Sequence, residues 1–324
     1  MPRFPQLAGV ATAALALGAL AAAPVPGPGP TLSHPRIVAH FDFAAGQTPE
    51  NIALEPDGSA DLTFAFARQV ANVTRHGDTR ILATLPAEAH PNTPIIQAAI
   101  VLGIARAHDG TLYVNYATGT SWTGIWRIAP DGSRPVQIAR LPKNGLPNGL
   151  ALDERRGVLY AADSVLGTVW RVPQEGGRPV AWARGTALDP VPGGSGFGVN
   201  GIKVHHDAVW VSNTDRGTLL RIPVRPDGSA GRIETRATGL DGIDDFGFVG
   251  RRGDTVLAAL NTDSEVALVR PDGSHTIVLT QREGLSNPTS VAVRDRLVYV
   301  PSAAYFTMKD PNLLLAHLNQ HHGR

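Results

Sequence analysis

Oxygen-bearing side chains recur along this sequence at nearly regular intervals, each close to the start of a short apolar run. The aligned positions are spaced about 43 to 52 residues apart and are Asn51, Leu102, Asn148, Asn200, Asp244 and Asn287. All except Leu102 carry a side-chain oxygen, as do the adjacent Glu50 and Asp245. Carboxylates gathered in one place need a cation or protonation to be tolerated. Oxygen donors without cysteine favour Ca²⁺, then Mg²⁺ or Mn²⁺, and make Zn²⁺ the least favoured of these ions. The residue types therefore predict a divalent metal site, provided that the fold brings them together.

The sequence around these positions repeats a unit of four short apolar segments. In residues 146–183, one pair of segments flanks a turn that ends at Gly157, and a second pair flanks the Gln-Glu-Gly-Gly turn at 174–177. Glycine-containing turns between β-rich segments indicate hairpins, and two hairpins in about 40 residues form one small antiparallel sheet. Six copies occur, which predicts an all-β, six-bladed β-propeller of four-stranded antiparallel blades.

The last copy, which begins near Asn287, contains only two clear strands. Residues 36–43 form an apolar segment that has no partner at the other end of the chain. Joining the two would close the ring and remove the open sheet edges. We therefore expect the N-terminal strand to complete the last blade, with a propeller over residues 36–308 and a C-terminal tail over residues 309–324.

Strand direction predicts which face of the propeller carries the chemistry. The first strand of each blade lines the central channel, so all first strands start at one face, and the second strands end there. This brings Asn115, Asp163, Asn213 and Asp263 to the face that holds Glu50, Asn148, Asn200, Asp244 and Asp245. We expect the last five to bind the metal. The alternative is that these asparagines and aspartates only cap turns.

The N-terminus resembles an export signal. Residues 1–21 carry one positive charge, Arg3, then an apolar run over residues 7–20 and a small-residue cleavage site. Residues 22–35 are rich in proline and glycine and are expected to be a stiff spacer. We predict a secreted, extracellular protein. A retained membrane anchor is the alternative, although the run is shorter than the roughly 20 residues that span a bilayer.

Composition narrows the possible partners. The formal net charge is +1 and the sequence has no cysteine, so disulfides and thiolate chemistry are excluded. No basic stripe indicates nucleic-acid binding. We expect a small-molecule substrate or ligand, no nucleic acid, no membrane contact after signal removal, and a monomer.

The motifs resemble the six-bladed propeller superfamily of gluconolactonases, regucalcin (senescence-marker-protein type) and paraoxonases, with strictosidine synthase more distant. Pro-Glu-Asn-Ile at 49–52 is similar to the first-blade segment that supplies a metal-binding glutamate, here Glu50. Pro-Asn-Gly-Leu at 147–150 and Ile-Asp-Asp-Phe at 243–246 resemble the third-blade and fifth-blade motifs. The resemblance implies that Asn148, Asn200, Asp244 and Asp245 are the other ligands.

One position departs from that pattern. Paraoxonases have a catalytic histidine at the start of the second blade, where this chain has Leu102. His108, His205 and His206 fall at turns on the opposite face and offer no replacement. A carboxylate would then have to transfer the proton, and the candidates are Asp245, Asp163 and Asp263. We expect Leu102, Asn115, Asn213 and Asn287 to line the substrate pocket.

Three functions fit this pattern. The first is an exported metal-dependent hydrolase of the lactonase or esterase type, in which the cation polarises the substrate carbonyl at the mouth of the channel. The second is an isomerase or cyclase of a secondary metabolite, because relatives of strictosidine synthase use the same fold for other chemistry. The third is a non-catalytic extracellular binding propeller with a structural divalent ion, which the presence of Leu102 favours.

Overall fold

The computed structural model describes residues 31–131 and 134–319. The predicted signal peptide over residues 1–21 and most of the spacer lie outside this part. The described residues form six four-stranded antiparallel sheets arranged as the blades of a propeller. No helix within residues 31–131 and 134–319 has the length and apolar character needed to cross a membrane.

Each of the first five blades is a run of four consecutive strands, ordered from the central channel outward. Blade 1 contains β2 (Pro49–Leu54), β3 (Ala60–Phe64), β4 (Gln69–Val73) and β5 (Thr79–Thr84). Blade 2 contains β6 (Ile100–Arg106), β7 (Leu112–Ala117), β8 (Gly124–Ile128) and β9 (Val136–Arg140). Blade 3 contains β10 (Pro147–Asp153), β11 (Val158–Asp163), β12 (Thr168–Pro173) and β13 (Val180–Arg184).

The remaining blades follow the same plan. Blade 4 contains β14 (Val199–His205), β15 (Ala208–Asn213), β16 (Thr218–Pro223) and β17 (Glu234–Ala237). Blade 5 contains β18 (Ile243–Phe248), β19 (Val256–Leu260), β20 (Glu265–Val269) and β21 (His275–Leu279), and a 3₁₀ turn follows at Gln281–Glu283. Blade 6 contains β22 (Ala292–Arg294), β23 (Leu297–Ser302), β24 (Asn312–Asn319) and, from the other end of the chain, β1 (Thr31–His40).

Strand β1 closes the ring as the outermost strand of blade 6, which confirms the predicted fold and its closure. It pairs antiparallel with β24, from Thr31 opposite Asn319 to His40 opposite Asn312. Two predicted boundaries need correction. The closing strand covers Thr31–His40 and not residues 36–43, and residues 312–319 of the predicted tail form the third strand of the blade. That segment carries four leucines, all buried because β24 lies between β1 and β23.

The apolar core lies between neighbouring blades. One cluster joins Tyr160 and Ala162 of blade 3 to Val211 of blade 4. A similar cluster packs Leu313 of blade 6 against Leu62 of blade 1, where the ring closes. Burying one such leucine contributes about 1.5 to 3 kcal/mol, so the ring is held by packing between sheets in a chain without disulfides.

The inner strands approach one another closely at three glycines that occupy equivalent positions in blades 2, 3 and 4. A Cβ atom at Gly103, Gly149 or Gly201 would come within 2.4 to 2.5 Å of an atom in the next blade. Only glycine permits this approach. Beyond this narrow part, toward the ends of the inner strands, the channel widens into a cavity of about 750 Å³.

Deleting residues 31–40 is expected to cause aggregation and to lower the melting temperature, because the backbone edge of β24 would be exposed. The control starts the chain at Thr31 and so keeps β1 intact. Light scattering after size-exclusion chromatography and a thermal melt measure the two effects. A monomer with the melting temperature of the control would contradict closure by β1.

Candidate functional site

The predicted metal ligands lie at irregularities near the starts of the inner strands. Register shifts occur between Pro49 and Ile52 in β2, and the same irregularity is found at equivalent places in β6, β10, β14 and β18. A β-bulge redirects side chains away from the regular alternation. We call Glu50, Asn200, Asp244 and Asp245 the front cluster, and all four are 9% exposed or less.

Asn200 links two inner strands through its side-chain amide. Its Nδ2 donates to Asp244 Oδ1 at 2.8 Å and to Thr214 Oγ1 at 2.9 Å. Both amide hydrogens are thereby used, which leaves the Oδ1 atom as an oxygen donor for a ligand. Asn148 lies at the equivalent position on β10 and is 5% exposed, and its carbonyl oxygen accepts a hydrogen bond from Asn115.

Asp245 is held by a cation of the protein itself. Its Oδ2 accepts hydrogen bonds from Lys203 Nζ at 2.5 Å, from Ser290 Oγ at 2.7 Å and from Asn51 Nδ2 at 3.1 Å. Its Oδ1 is buried without a hydrogen-bond partner in the described residues and packs against Gly201. Asp245 therefore has one oxygen fully engaged and one unsatisfied.

A hydrogen bond from Tyr305 fixes the orientation of the Glu50 carboxylate. The Tyr305 hydroxyl donates to Glu50 Oε2 at 2.5 Å, from the loop that joins β23 to β24. Burial raises the pKa of Glu50 to about 7; the Tyr305 hydrogen bond opposes this rise, and repulsion from Asp245 adds to it. Burial, with the negative charges of Glu50 and Asp244, raises the pKa of Tyr305 well above its ordinary value, so this hydroxyl keeps its proton.

Asp244 is electrostatically the least satisfied carboxylate of the front cluster. Burial and then repulsion from Glu50 and Asp245 raise its pKa well above the ordinary value, against smaller opposing effects of Asn200 and Lys203. Three buried carboxylates face one ammonium group, which leaves excess negative charge. The oxygen atoms of Glu50, Asp244 and Asn200 fit a hard divalent cation such as Ca²⁺.

The stability of the metal-free protein is expected to fall as pH rises from about 4.5 to 7. In this window folded Glu50, with its raised pKa, keeps a proton that the unfolded chain has lost, so rising pH favours unfolding. The melting temperature should therefore be higher at pH 5 than at pH 7.5, and Ca²⁺ should reduce the difference by taking the place of the proton.

Asp61 requires a control in that experiment. Burial raises the pKa of Asp61 to about 7 as well, with Glu55 adding to the rise. Asp61 therefore also makes the protein less stable as pH rises, as Glu50 does. Glu50→Gln should reduce the part of the pH profile that responds to Ca²⁺, to which Asp244 also contributes, whereas Asp61→Asn should remove a part that does not respond to Ca²⁺. A metal-free profile that is unchanged in Glu50→Gln would contradict the assignment.

The predicted catalytic carboxylates are not brought together. Asp163 is buried in a network of its own, where it accepts from Leu146 N at 2.8 Å, Leu166 N at 3.1 Å and Trp170 Nε1 at 3.1 Å. These contacts join the turn that follows β11 to the segment before β10 and to β12. Asp263 lies exposed in the turn between β19 and β20. The geometry therefore favours neither as the base, and Asp245 offers only one oxygen.

The predicted pocket residues also have structural contacts. Asn115 and Asn213 each donate to two backbone carbonyls of neighbouring segments. Asn287 accepts from the backbone of Phe306 and Thr307 through its Oδ1 atom. These three amides position the loops around the front cluster, because each one binds main-chain atoms.

Leu102 lies beneath the loops and not on an open surface. It is 3% exposed and packs with Ile100, Ala117 and Leu146, under the partly buried Phe197. A histidine at this position would be enclosed in an apolar cluster. The departure from the paraoxonase pattern is therefore accommodated by packing.

Two residues of the site were missed in the sequence, Lys203 and Tyr305. Lys203 stands three residues after Asn200, where the two preceding repeats have Ala105 and Ala151 and the next has Gly247. A charged side chain at a position that holds a small residue in these repeats is a signal that could have identified it. Tyr305 lies in a loop outside the repeat pattern, and the sequence contains no comparable signal for it.

A second group of possible ligands lies on the opposite face. His205, His206 and Asp254, which we call the rear group, bring three ligand atoms within 4.8 Å of one another. Burial, together with the neighbouring His206, lowers the pKa of His205. The sequence places the two histidines at this face correctly, but it gives no indication that Asp254 joins them from the next blade.

No family model and no curated protein matches the chain. Solved structures match over most of its length. A gluconolactonase from Xanthomonas campestris is 16% identical with a TM-score of 0.63, covering 91% of this chain and 97% of its own. The calcium-binding protein regucalcin from Agrobacterium tumefaciens is 15% identical with a TM-score of 0.61, covering 87% and 93%.

Virginiamycin B lyase from Staphylococcus aureus is 13% identical with a TM-score of 0.57, covering 90% of this chain and 100% of its own. At such identities the likeness concerns the fold, and the three proteins have different activities. The predicted resemblance to gluconolactonase and regucalcin propellers is thereby confirmed as a structural match. The chain is a six-bladed β-propeller of the architecture that a lactonase, a calcium-binding protein and a lyase share.

Proposed function

We propose that this protein is an exported metal-dependent hydrolase of lactones or related esters, acting at the front cluster. The observation that carries the proposal is the convergence of the Glu50, Asp244 and Asp245 carboxylates with Asn200 in one buried site that has a single ammonium group. A hard divalent ion held there, Ca²⁺ first and Mg²⁺ or Mn²⁺ next, would polarise a substrate carbonyl and stabilise the charge that develops on it.

The residues of the cluster have separate roles in this proposal. Glu50, Asp244 and the Oδ1 atom of Asn200 hold the ion. Tyr305 orients Glu50 by donating to Oε2 and, because it keeps its proton, does not act as a base. Lys203 neutralises Asp245, and this keeps the excess charge of the site from exceeding what one divalent ion can balance.

Asp244 is the carboxylate best placed to accept the proton of the attacking water. It is the most exposed of the three acids at 9%, and only its Oδ1 atom is bonded to Asn200. A general base must be reachable from the substrate side. Asp163 and Asp263 do not meet the buried cluster, so we assign this role to Asp244 in their place.

The rim of the mouth favours substrates with an apolar part. Phe66, Phe306 and Met308 are 40%, 66% and 67% exposed in loops at the same face, and Phe66 packs edge-on against Tyr305. Exposed apolar side chains around a polar site favour ligands that bury an apolar surface. We expect alkyl or aryl lactones to be better substrates than polar sugar lactones.

Hydrolysis of a lactone panel tests the proposal. The protein, stripped with a chelator and then reconstituted with Ca²⁺, is assayed beside Asp244→Asn purified in the same way, so that contaminating esterases are subtracted. We expect turnover that requires Ca²⁺ and is lost in the variant. If the wild type binds one Ca²⁺ tightly and hydrolyses neither lactones nor aryl esters, the hydrolase proposal fails.

A binding propeller with a structural ion is the second candidate. The observation that favours it is the low exposure of the whole front cluster, 9% or less at every residue, which leaves little room for a substrate unless the loops move. In that case Ca²⁺ should raise the melting temperature, and no member of the panel should be turned over. The isomerase or cyclase alternative stays a prediction from the sequence.

A further inference from the structure

His205 ends β14 and His206 follows it in the turn. Their rings lie side by side, although consecutive residues of an extended chain normally point to opposite faces. His206 has a left-handed backbone with φ of 44°, which is uncommon for residues other than glycine. The two imidazole centroids are 3.9 Å apart as a result. His205 is further fixed by stacking on Phe248, with ring centroids 3.7 Å apart and planes inclined by 12°.

Asp254 completes the group from the loop between β18 and β19. Its Oδ1 lies 3.7 Å from His205 Nε2 and 3.7 Å from His206 Nδ1. Its other oxygen, Oδ2, lies 4.0 Å from Arg236 Nη2. The carboxylate is therefore oriented so that one oxygen faces both imidazoles and the other faces the guanidinium.

The partner of His206 Nε2 fixes which nitrogen can bind an ion. Nε2 lies 2.9 Å from Arg251 O, and a carbonyl can only accept, so Nε2 carries the proton. The Nδ1 atom then faces the Asp254 carboxylate. Its lone pair and the carboxylate oxygen repel unless a metal ion lies between them or a second proton on the ring makes the contact an ion pair. A carbonyl bonded to the second imidazole nitrogen is the usual outer support of a metal-binding histidine.

We infer that His205, His206 and Asp254 form a second metal site, for a borderline divalent ion such as Zn²⁺. Two imidazole nitrogens and one carboxylate oxygen form a ligand set that zinc accepts. In a tetrahedral zinc site, ligand atoms are separated by roughly 3.4 Å. The two distances from Asp254 Oδ1, 3.7 Å each, would shorten by a few tenths of an ångström, and the two imidazole nitrogens, which lie within 4.8 Å of each other, would also move together.

Binding changes one hydrogen bond. His205 Nε2 lies 3.0 Å from Gly253 O, so an ion on this nitrogen requires its proton to be on Nδ1. Gly253 O is then released as a further oxygen beside the ion. The site goes beyond the proposed hydrolase, because it is built from nitrogen donors on the opposite face and uses none of the front-cluster residues.

The ion would join two blades at the rim of the channel cavity. His205 and His206 belong to blade 4, Asp254 belongs to the loop of blade 5, and His205 and Arg251 both line the cavity of about 750 Å³. A chain without cysteine has no disulfide for this purpose. Zinc at the rear group would fix residues 249–255 against blade 4.

Thermal melts with two ions test the site. The full-length protein, free of any affinity tag, is first saturated with Ca²⁺ so that the front cluster is filled, and Zn²⁺ is then added. At about 100-fold excess over the dissociation constant, we expect a further rise in melting temperature of roughly 5 °C. Asp254→Asn and His206→Gln should each weaken the Zn²⁺ effect more than about 10-fold.

Two controls separate the rear group from other binding. His76→Gln removes an exposed histidine of blade 1 and should leave the Zn²⁺ effect intact. Glu50→Gln should remove the Ca²⁺ effect and leave the Zn²⁺ effect unchanged, so failure of the proposed function does not affect this test.

Absorption of the Co²⁺-substituted protein supplies a second readout. Intense visible bands that require Asp254 and both histidines would support a four-coordinate site with nitrogen ligands. Zn²⁺ binding that is equally strong in Asp254→Asn and His206→Gln, or a melting temperature that Zn²⁺ does not change, would overturn the inference. The contact between His206 and Asp254 would then be an ion pair only.

Discussion

Glu50→Gln is expected to make the metal-free protein more stable at pH 7.5 and the Ca²⁺-loaded protein less stable. The substitution removes a buried carboxylate that is repelled by Asp245 and Asp244, which favours the folded metal-free state. It also removes a charged ligand, which should weaken Ca²⁺ binding by about 100-fold. Opposite signs in the two states are expected only if Glu50 is both a source of repulsion and a ligand.

The size of the Ca²⁺ effect follows from linkage. An ion at 100 times its dissociation constant stabilises the folded state by about 2.7 kcal/mol, which corresponds to a rise in melting temperature of roughly 5 °C. Glu50→Gln should lose most of this rise, together with at least about 100-fold of any Ca²⁺-dependent turnover.

Glu175→Gln is the matched control for Glu50→Gln. The Glu175 side chain is 88% exposed and 3.9 Å from Arg127, so its replacement should change neither melting temperature nor turnover. A Glu50→Gln protein whose melting still rises with Ca²⁺ by the wild-type amount would show that Glu50 does not bind the ion.

Lys203→Met is expected to destabilise the metal-free protein by about 3 kcal/mol, because removal of one partner of a buried ion pair leaves the other charge uncompensated. Asp245 is 2% exposed and Lys203 is 26% exposed, which places the cost at the lower end of the known range. Asn51 and Ser290 still donate to Asp245 Oδ2 and soften the loss.

The same substitution should strengthen Ca²⁺ binding. At an effective dielectric constant of 20, a unit positive charge several ångströms from a divalent ion opposes its binding by about 4 to 5 kcal/mol, which is far more than tenfold in the dissociation constant. Chemical denaturation with and without Ca²⁺, beside calorimetric titration, measures both effects. Lys143→Met, at an exposed lysine, is the control. Weaker Ca²⁺ binding in Lys203→Met would contradict the view that the Lys203 ammonium group and Ca²⁺ balance the same negative charge.

The repeat pattern predicts the architecture well, because each blade must place apolar residues at fixed spacing. The repeat pattern does not predict the strand bounds of blade 6, where the two ends of the chain meet. Residues 312–319 follow a loop of nine residues after β23, and this interrupts the spacing by which the other blades were found. The sequence therefore predicts that β1 joins the last blade, but it does not predict that the neighbouring strand in that blade is β24.

The front cluster could be predicted because its oxygen side chains occupy the same position in several repeats. The bulges that turn these side chains together cannot be inferred from the residue types. Asp163 and Asp263 show the limit of the direction argument. Both lie at the predicted face, but Asp163 is hydrogen-bonded to Leu146, Leu166 and Trp170 and Asp263 is exposed. Sharing a face of the propeller does not place two side chains in one site.

The contacts that the sequence does not predict form between residues of different blades. Asp254 and His205 are 49 residues apart in the sequence and meet only because neighbouring blades pack together. Tyr305 reaches Glu50 across 255 residues. Such contacts depend on the ring as a whole, and a single sequence contains no local pattern for them.

A crystal structure of the Ca²⁺-loaded protein is the measurement that tests the central claim most directly. We expect one ion among Glu50, Asp244 and the Oδ1 atom of Asn200, with calcium–oxygen distances of about 2.3 to 2.6 Å, and with Lys203 still paired to Asp245. An ion bound elsewhere, or a front cluster that stays free of metal at saturating Ca²⁺ with Glu50 protonated against Tyr305, would contradict the account.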